Sequence, residues 1–330
     1  MLRSVDIRVE CWPLRAPFRI ARGARTDIAV AVVTIGEGSV AGRGVVGRGE
    51  GTPSARYGET PESVRMQIEA AIPALQAGCD RAALRTLMPP GSARNAIDAA
   101  LWDLEARQAA CIAPALPPLV SAQTVSIDRP GAMAQAARRL ARAQLVKVKL
   151  DAADPEACLR AVRCSLPDTT LIVDANEAWT MPLLVAMQPV LAELGIALLE
   201  QPLPAGQDGA LADFTAQVPI CADESCHVAA DIPRLRGLYR FVNIKLDKTG
   251  GLTEALALYD AARAAGLGVM VGCMLATSLG IAPALRIAAR ADFVDVDGPW
   301  WLLEDRSGGL RVLDDGVVVP PQPGFWGGIA

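Results

Sequence analysis

With 330 residues and 52% apolar side chains, the chain has material for one large α/β unit and a smaller companion. A net charge of −4 without any basic block argues against nucleic acid or an anionic membrane surface as partner. The N-terminus MLRSVDIRVE lacks the apolar core of a secretory signal and the eight cysteines form no CxxC pair, so a cytoplasmic protein with reduced thiols is expected.

In chain order, VDIRVECWPL (5–14) and DIAVAVVTIG (27–36) read as antiparallel strands, and the Gly-rich stretch GEGSVAGRGVVGRGEG (36–51) as turns between later strands. Helical patterns follow at 61–75 and 93–110; in the second, Ile97, Leu101 and Leu104 recur at helical spacing. Strands followed by helices suggest a separate α+β unit over 1–115, with IAPALPPL (112–119) as its linker. From Gln123 the pattern alternates. QTVSI, LVKVKL, LIVDAN, ALLEQP, ICADES, VNIKLD, GVMVGC and DFVDVD are eight strand-like runs separated by Ala-rich stretches such as 130–143 and 253–265. Eight βα units with apolar inward strands predict a closed parallel barrel over 116–298. The charge-free segment 264–285 is long enough to span a bilayer, but its glycines, Pro283, Thr277 and Ser278 divide it into a strand, a loop and a helix start. The Gly/Pro-rich tail, 299–330, is expected to return to the N-terminal unit.

Five successive runs carry charge near their ends: Lys147 and Lys149, then Asp174, Glu200, Asp223 and Lys245, at intervals of roughly 22 to 27 residues, about one βα unit. The C-terminal strand ends of a parallel barrel converge on one face, so these groups should meet. Asp174, Glu200 and Asp223 are hard oxygen ligands suited to Mg²⁺, with Mn²⁺ as a substitute, and ill suited to Zn²⁺. Singly, each carboxylate could be a cap or a solvated loop residue; three at matching strand ends point to one cation.

Lys147 and Lys149 are two apart and share a face, and two inward ammoniums need a purpose. One reading is a structural ion network with the carboxylates. The functional reading makes Lys149 a base whose pKa Lys147 and the metal depress, with Lys245 approaching from the opposite side. A cation holding a substrate carboxylate stabilises the enediolate left when the adjacent carbon loses its proton, and a lysine on each face allows return from the other side. That is racemisation or epimerisation. The only histidine, His227, is expected to serve a surface or capping role.

Through KVK (147–149), DAN (174–176), EQP (200–202), ADES (222–225) and IKLDKTGG (244–251), with ALWDL (100–104) and GCM (272–274), the chain resembles the enolase superfamily in its muconate-lactonising-like branch over essentially its whole length. The resemblance implies a TIM-like (β/α)7β barrel with an N-terminal α+β capping domain completed by the C-terminal tail, and lid loops near 20–25 and 52–59. Within that family the chain looks like the dipeptide epimerases that interconvert L-Ala-L-Glu and L-Ala-D-Glu in murein peptide degradation, with one Mg²⁺ per site. On that likeness Lys149 and Lys245 exchange the proton and Lys147 supports the carboxylate. Asp295 and Asp297, in DVDGP, bind the substrate ammonium; Asp-Gly also favours a turn there. Arg25 would meet the glutamate side chain, with Arg56 sharing or replacing it, and Thr124 would contact substrate. The chain departs from the family pattern M-x-E-[ST] at Ala276, where a carboxylate is usual. The rivals are N-succinylamino-acid racemisation or cycloisomerisation in the same branch, and a non-catalytic metal-binding barrel. A small dipeptide is the expected partner, and a homo-oligomer is left open.

Overall fold

The computed structural model describes residues 3–20, 23–38, 44–112 and 116–329. Strands β1 (Ser4–Ile20) and β2 (Gly23–Glu37) pair antiparallel, and β3 (Val45–Gly51) joins the other edge of β2. Alternation along β2 turns Val33 and Ile35 onto helices α1 (Pro61–Gln76), α2 (Arg81–Leu87) and α3 (Ser92–Gln108), where Ile68, Leu84, Ile97 and Leu101 complete a buried apolar cluster.

Here the glycine-rich expectation needs correction. Residues 45–51 form a strand, and its alternate glycines are the surface on which α3 lies. A Cβ on Gly47, Gly49 or Gly51 would stand 2.2, 2.2 and 2.1 Å from the carbonyl oxygens of Ala100, Ala96 and Ser92. Composition alone reads such glycines as turn formers, whereas here they permit close approach of a helix backbone. Residues 39–43 of that stretch lie outside the described residues, as do 113–115, where the expected linker and unit boundary fall.

The expected linker ends in strand β4 (Leu119–Val120). Then come eight parallel strands: β5 (Gln123–Val125), β6 (Leu145–Lys149), β7 (Thr170–Asp174), β8 (Ile196–Glu200), β9 (Ile220–Ala222), β10 (Phe241–Ile244), β11 (Gly268–Gly272) and β12 (Phe293–Asp295). They are hydrogen-bonded in sequence order, and Ala122 N donates to Val294 O at 2.8 Å to join the two ends. Helices such as Pro130–Arg139, Pro155–Ser165, Met181–Glu193 and Leu252–Ala264 cover the outside; between β8 and β9 only a short 3₁₀ turn, Asp208–Leu211, stands in that place. Strands β13 (Arg311–Val312) and β14 (Val317–Val319) pair with β4. Beyond them Trp326 Nε1 donates to Arg48 O and Ala99 O, and Gly327 N to Asp103 Oδ1. Among the described residues no helix is long and apolar enough to cross a membrane.

Helix α3 also carries a polar face that docks on the loop after β10. Arg94 Nε donates to Gly250 O, Asn95 Nδ2 to Asp247 Oδ1, and Asp98 Oδ2 accepts from Thr253 N. Asp247 Oδ1 accepts Thr52 N as well. These buried polar bonds tie the root of segment 52–59 to the loop bearing Lys245.

Candidate active site

The barrel interior is built in layers by the two-residue period of its strands. At the N-terminal end Leu145, Ile172, Leu198, Cys221 and Met270 form an apolar floor, with Phe241 and Phe293 packed against it. Two residues further along each strand come Lys147, Asp174, Glu200, Asp223, Asn243, Gly272 and Asp295. Gly272 leaves room for its neighbours, since a Cβ there would lie 2.7 Å from Asn243 Oδ1 and 3.1 Å from Lys245 Cε. Another step brings Lys149, Lys245 and Asp297 to the mouth.

Lys147 Nζ lies 3.0 Å from Asp174 Oδ2, 2.7 Å from Glu200 Oε2 and 2.8 Å from Asp295 Oδ2. Lys149 Nζ donates to Asp174 Oδ2 at 2.9 Å and Asn176 Oδ1 at 3.0 Å. Lys245 Nζ donates to Asp223 Oδ2 at 2.7 Å, and Lys248 Nζ to Asp223 Oδ1 at 2.6 Å. Asn243 Nδ2 donates to Glu200 Oε1 at 2.8 Å.

The electrostatics follow from burial and these pairings. Burial pulls the Lys147 ammonium down, but Asp174, Asp295 and Glu200 more than offset it and hold it well above the usual lysine range. Lys245 is raised likewise, burial being outweighed by Asp223 and Glu200. Asp174 and Asp223 lie below the carboxylate range despite burial, because lysines surround them. Glu200 goes the other way, to about 8, through burial and the negative charge of Asp174.

A cavity of about 540 Å³ opens above, lined by Lys147, Lys149, Lys245, Asp223, Thr124, Asp295 and Asp297 from the barrel and by Phe18, Arg25 and Arg56 from the N-terminal unit. Asp174 and Glu200 are buried completely. Thus each candidate catalytic, substrate-binding or cation-holding residue from the sequence either lines this cavity or lies against a lysine that does. Asp297 Oδ2 accepts Thr124 N and Trp301 Nε1, each at 3.1 Å; burial and then Asp295 push its carboxyl to about 7. Arg25 is exposed at the cavity edge. Arg56 also lines the cavity, and its guanidinium grips Glu177 through bonds of 2.5 and 2.7 Å. His227 stays outside the cavity, its Nε2 3.1 Å from Glu224 O and its ring edge-on to Tyr57. Met274 and Leu275 line the wall, while Ala276 is buried behind it.

Among the described residues no three His, Cys, Asp or Glu side chains stand together as a ready metal cage; the three carboxylates each face a lysine instead. The donor set nevertheless fits a hard cation. Asp174, Glu200 and Asp223 are all-oxygen groups on consecutive strands, and buried Glu200 Oε2 has an ammonium beside it without an aligned hydrogen bond. A cation there would relieve the charge crowding that raises Glu200.

Sequence reasoning overlooked Lys248, Asn243, Asn176, Phe18 and Trp301. For Asn243 a signal existed, since it stands two residues before Lys245 and so shares its inward face.

With this geometry established, comparison with known proteins assigns the class. The chain matches the Mandelate racemase / muconate lactonizing enzyme N-terminal domain over residues 2–113 and the Enolase C-terminal domain-like family over 132–326, and it belongs to that enolase-type family. It is 49% identical over 318 residues to the L-Ala-D/L-Glu epimerase of Escherichia coli K12, covering 94% of this chain and 98% of that protein. It is 42% identical over 302 residues to an N-acetyl-D-glutamate racemase from a Pseudoalteromonas species, covering 88% and 94%. A solved enolase family member from Agrobacterium tumefaciens, with homology to dipeptide epimerases and with sodium and L-Ala-L-Glu bound, superimposes with a TM-score of 0.93 at 44% identity, covering 98% and 99%.

Proposed function

We propose that this chain is a Mg²⁺-dependent dipeptide epimerase that interconverts L-Ala-L-Glu and L-Ala-D-Glu by two-base 1,1-proton transfer, an isomerase working on murein-derived peptides. The observation that carries this reading is the placement of Lys149 and Lys245, on strands far apart in the ring, at one cavity mouth above three buried carboxylates.

Asp174, Glu200 and Asp223 would hold the ion, with Mn²⁺ as a substitute. Bound there, its charge would neutralise the substrate's terminal carboxylate and stabilise the enediolate formed on α-proton removal. Lys147 lies among the carboxylates and adds a fixed positive charge toward the same group. One of Lys149 and Lys245 takes the α-proton; the other, from across the cavity, returns one to the opposite face. A base must be deprotonated, and the carboxylates that now favour the ammonium of Lys245 are those the cation would share. Asp295 and Asp297 would receive the free amino group, since buried Asp295 Oδ1 has no hydrogen-bond partner among the described residues. Arg25 would meet the γ-carboxylate and Thr124 would border the peptide. The eight cysteines are all free thiols, which accords with a reducing cytoplasmic setting.

A second reading, racemisation of an N-acylated glutamate, is favoured by the likeness to the N-acetyl-D-glutamate racemase. The two part at Asp295 and Asp297, because an N-acyl substrate brings no ammonium to that end. Proton exchange in D₂O with Mg²⁺, followed by NMR on L-Ala-L-Glu and on N-acetyl-L-glutamate, decides between them. Faster exchange of the dipeptide supports the epimerase; exchange confined to N-acetylglutamate gives the second reading.

A further inference from the structure

One side chain links the two ends of the cavity. Trp301 is in the 3₁₀ turn Gly298–Trp301 that follows Asp297, and it is 7% exposed. Its Nε1 donates to Asp297 Oδ2 at 3.1 Å, and its ring meets Phe18 edge-on with centroids 4.8 Å apart and planes at 79°. Phe18 in turn lines the cavity, its ring centroid 5.8 Å from Lys149 Nζ. The contact is anchored on both sides. The register of β1 shifts between Pro13 and Phe18, and in that interval Leu14 bridges Leu302 while Leu303 N donates to Pro13 O at 2.9 Å. The first hairpin is thus held on the segment that carries Trp301.

An edge-on aromatic pair has a defined geometry, so shifting either ring shifts the other. Among the described residues Asp297 Oδ2 has two donors, the indole and the Thr124 backbone. Loss of the indole N–H would leave a buried carboxylate with one, free to turn from the cavity. We infer that Trp301 is a positioning residue that fixes Asp297 and the Phe18 wall as one unit, so that binding of the amino-terminal residue of the substrate depends on it. The inference rests on the dipeptide reading, because only a free ammonium needs Asp297 aimed into the cavity.

The test is steady-state epimerisation of L-Ala-L-Glu by the Mg²⁺-loaded wild type, Trp301→Phe, Phe18→Leu and the double variant. Trp301→Phe keeps a ring and removes the donor, and should raise KM about ten-fold with kcat within about two-fold. Phe18→Leu should raise KM about three-fold. The double variant should fall short of the product of the two, because both act through one contact. An unchanged KM, a loss confined to kcat, or strictly multiplicative effects would overturn the inference. If Trp301→Phe does not fold, Phe18→Leu alone decides by the rise or constancy of KM. A wild type inert toward L-Ala-L-Glu would instead remove the dipeptide reading itself, a result separable from any variant effect.

Discussion

Lys245 Nζ donates to Asp223 Oδ2 at 2.7 Å, joining one proposed base directly to one proposed cation ligand. On the other side of the site Lys149 makes the corresponding bond to Asp174. Each lysine is thus hydrogen-bonded to a carboxylate that the cation would claim, so ion binding and the placement of the two ammonium groups are linked through Asp174 and Asp223.

The first consequence concerns metal removal. Chelation should abolish α-proton exchange, and Mg²⁺ should restore it. Glu200→Gln should weaken Mg²⁺ binding by at least about ten-fold in calorimetric titration, since it removes the central charged donor. Full exchange in the presence of chelator would exclude a role for the ion.

Arg25 and Arg56 should behave differently. Arg25→Met is expected to raise KM for L-Ala-L-Glu about ten-fold or more, with little change for L-Ala-L-Ala. Arg56→Met, which breaks the grip on Glu177, should affect both dipeptides alike. Steady-state kinetics on the two substrates checks this, and a glutamate-selective defect in Arg56→Met would exchange the assignments.

Asp247 gives a pH prediction away from the cation. Burial pushes its carboxyl to about 7, although Thr52 N and Asn95 Nδ2 both donate to it. With the folded pKa above that of the unfolded chain, the folded state holds an extra proton between about pH 4 and 7, so this group's stabilising contribution is full below about 4 and is lost as pH rises through 7. Asp247→Asn keeps the accepting oxygen and cannot ionise. It should stabilise the protein by about 2 kcal/mol at pH 8 and by much less at pH 5. Urea unfolding at the two pH values measures the difference, and an equal effect at both would count against it.

Gly49 tests the packing of β3 on α3. Gly49→Ala places a Cβ 2.2 Å from Ala96 O and should cost about 1–3 kcal/mol or more in unfolding experiments. Gly131→Ala, where the added carbon meets nothing within 4 Å, is the control and should be neutral or slightly stabilising. Equal melting temperatures for the two variants would mean that the close approach is relieved elsewhere.

These residues also mark the limits of reading the sequence. The barrel was legible because most of its strands repeat one pattern, an apolar floor residue followed two positions later by a charged or polar one, as in Leu145–Lys147 and Ile172–Asp174. The convergence of the candidate site residues was legible for the same reason, since Asp174, Glu200 and Asp223 occupy one step of that pattern. What escaped depends on partners distant in the chain. Gly47, Gly49 and Gly51 read as turn formers until α3 is placed on them. Arg94, Asn95 and Asp98 look like the solvated face of a helix until they meet the loop at Thr249–Thr253. Trp301 gains its meaning only when Phe18, far away in sequence, lies against it.

On the proposed mechanism Lys149 and Lys245 serve opposite faces of one carbon. The most direct measurement is α-proton exchange in D₂O, by NMR, of L-Ala-L-Glu and L-Ala-D-Glu separately, with Lys149→Ala and Lys245→Ala. Both variants should lose epimerisation by at least about 10²-fold, yet each should still exchange one epimer, and the two variants should retain opposite ones. Wild-type epimerisation in either variant, or retention of the same epimer by both, would contradict the two-base account.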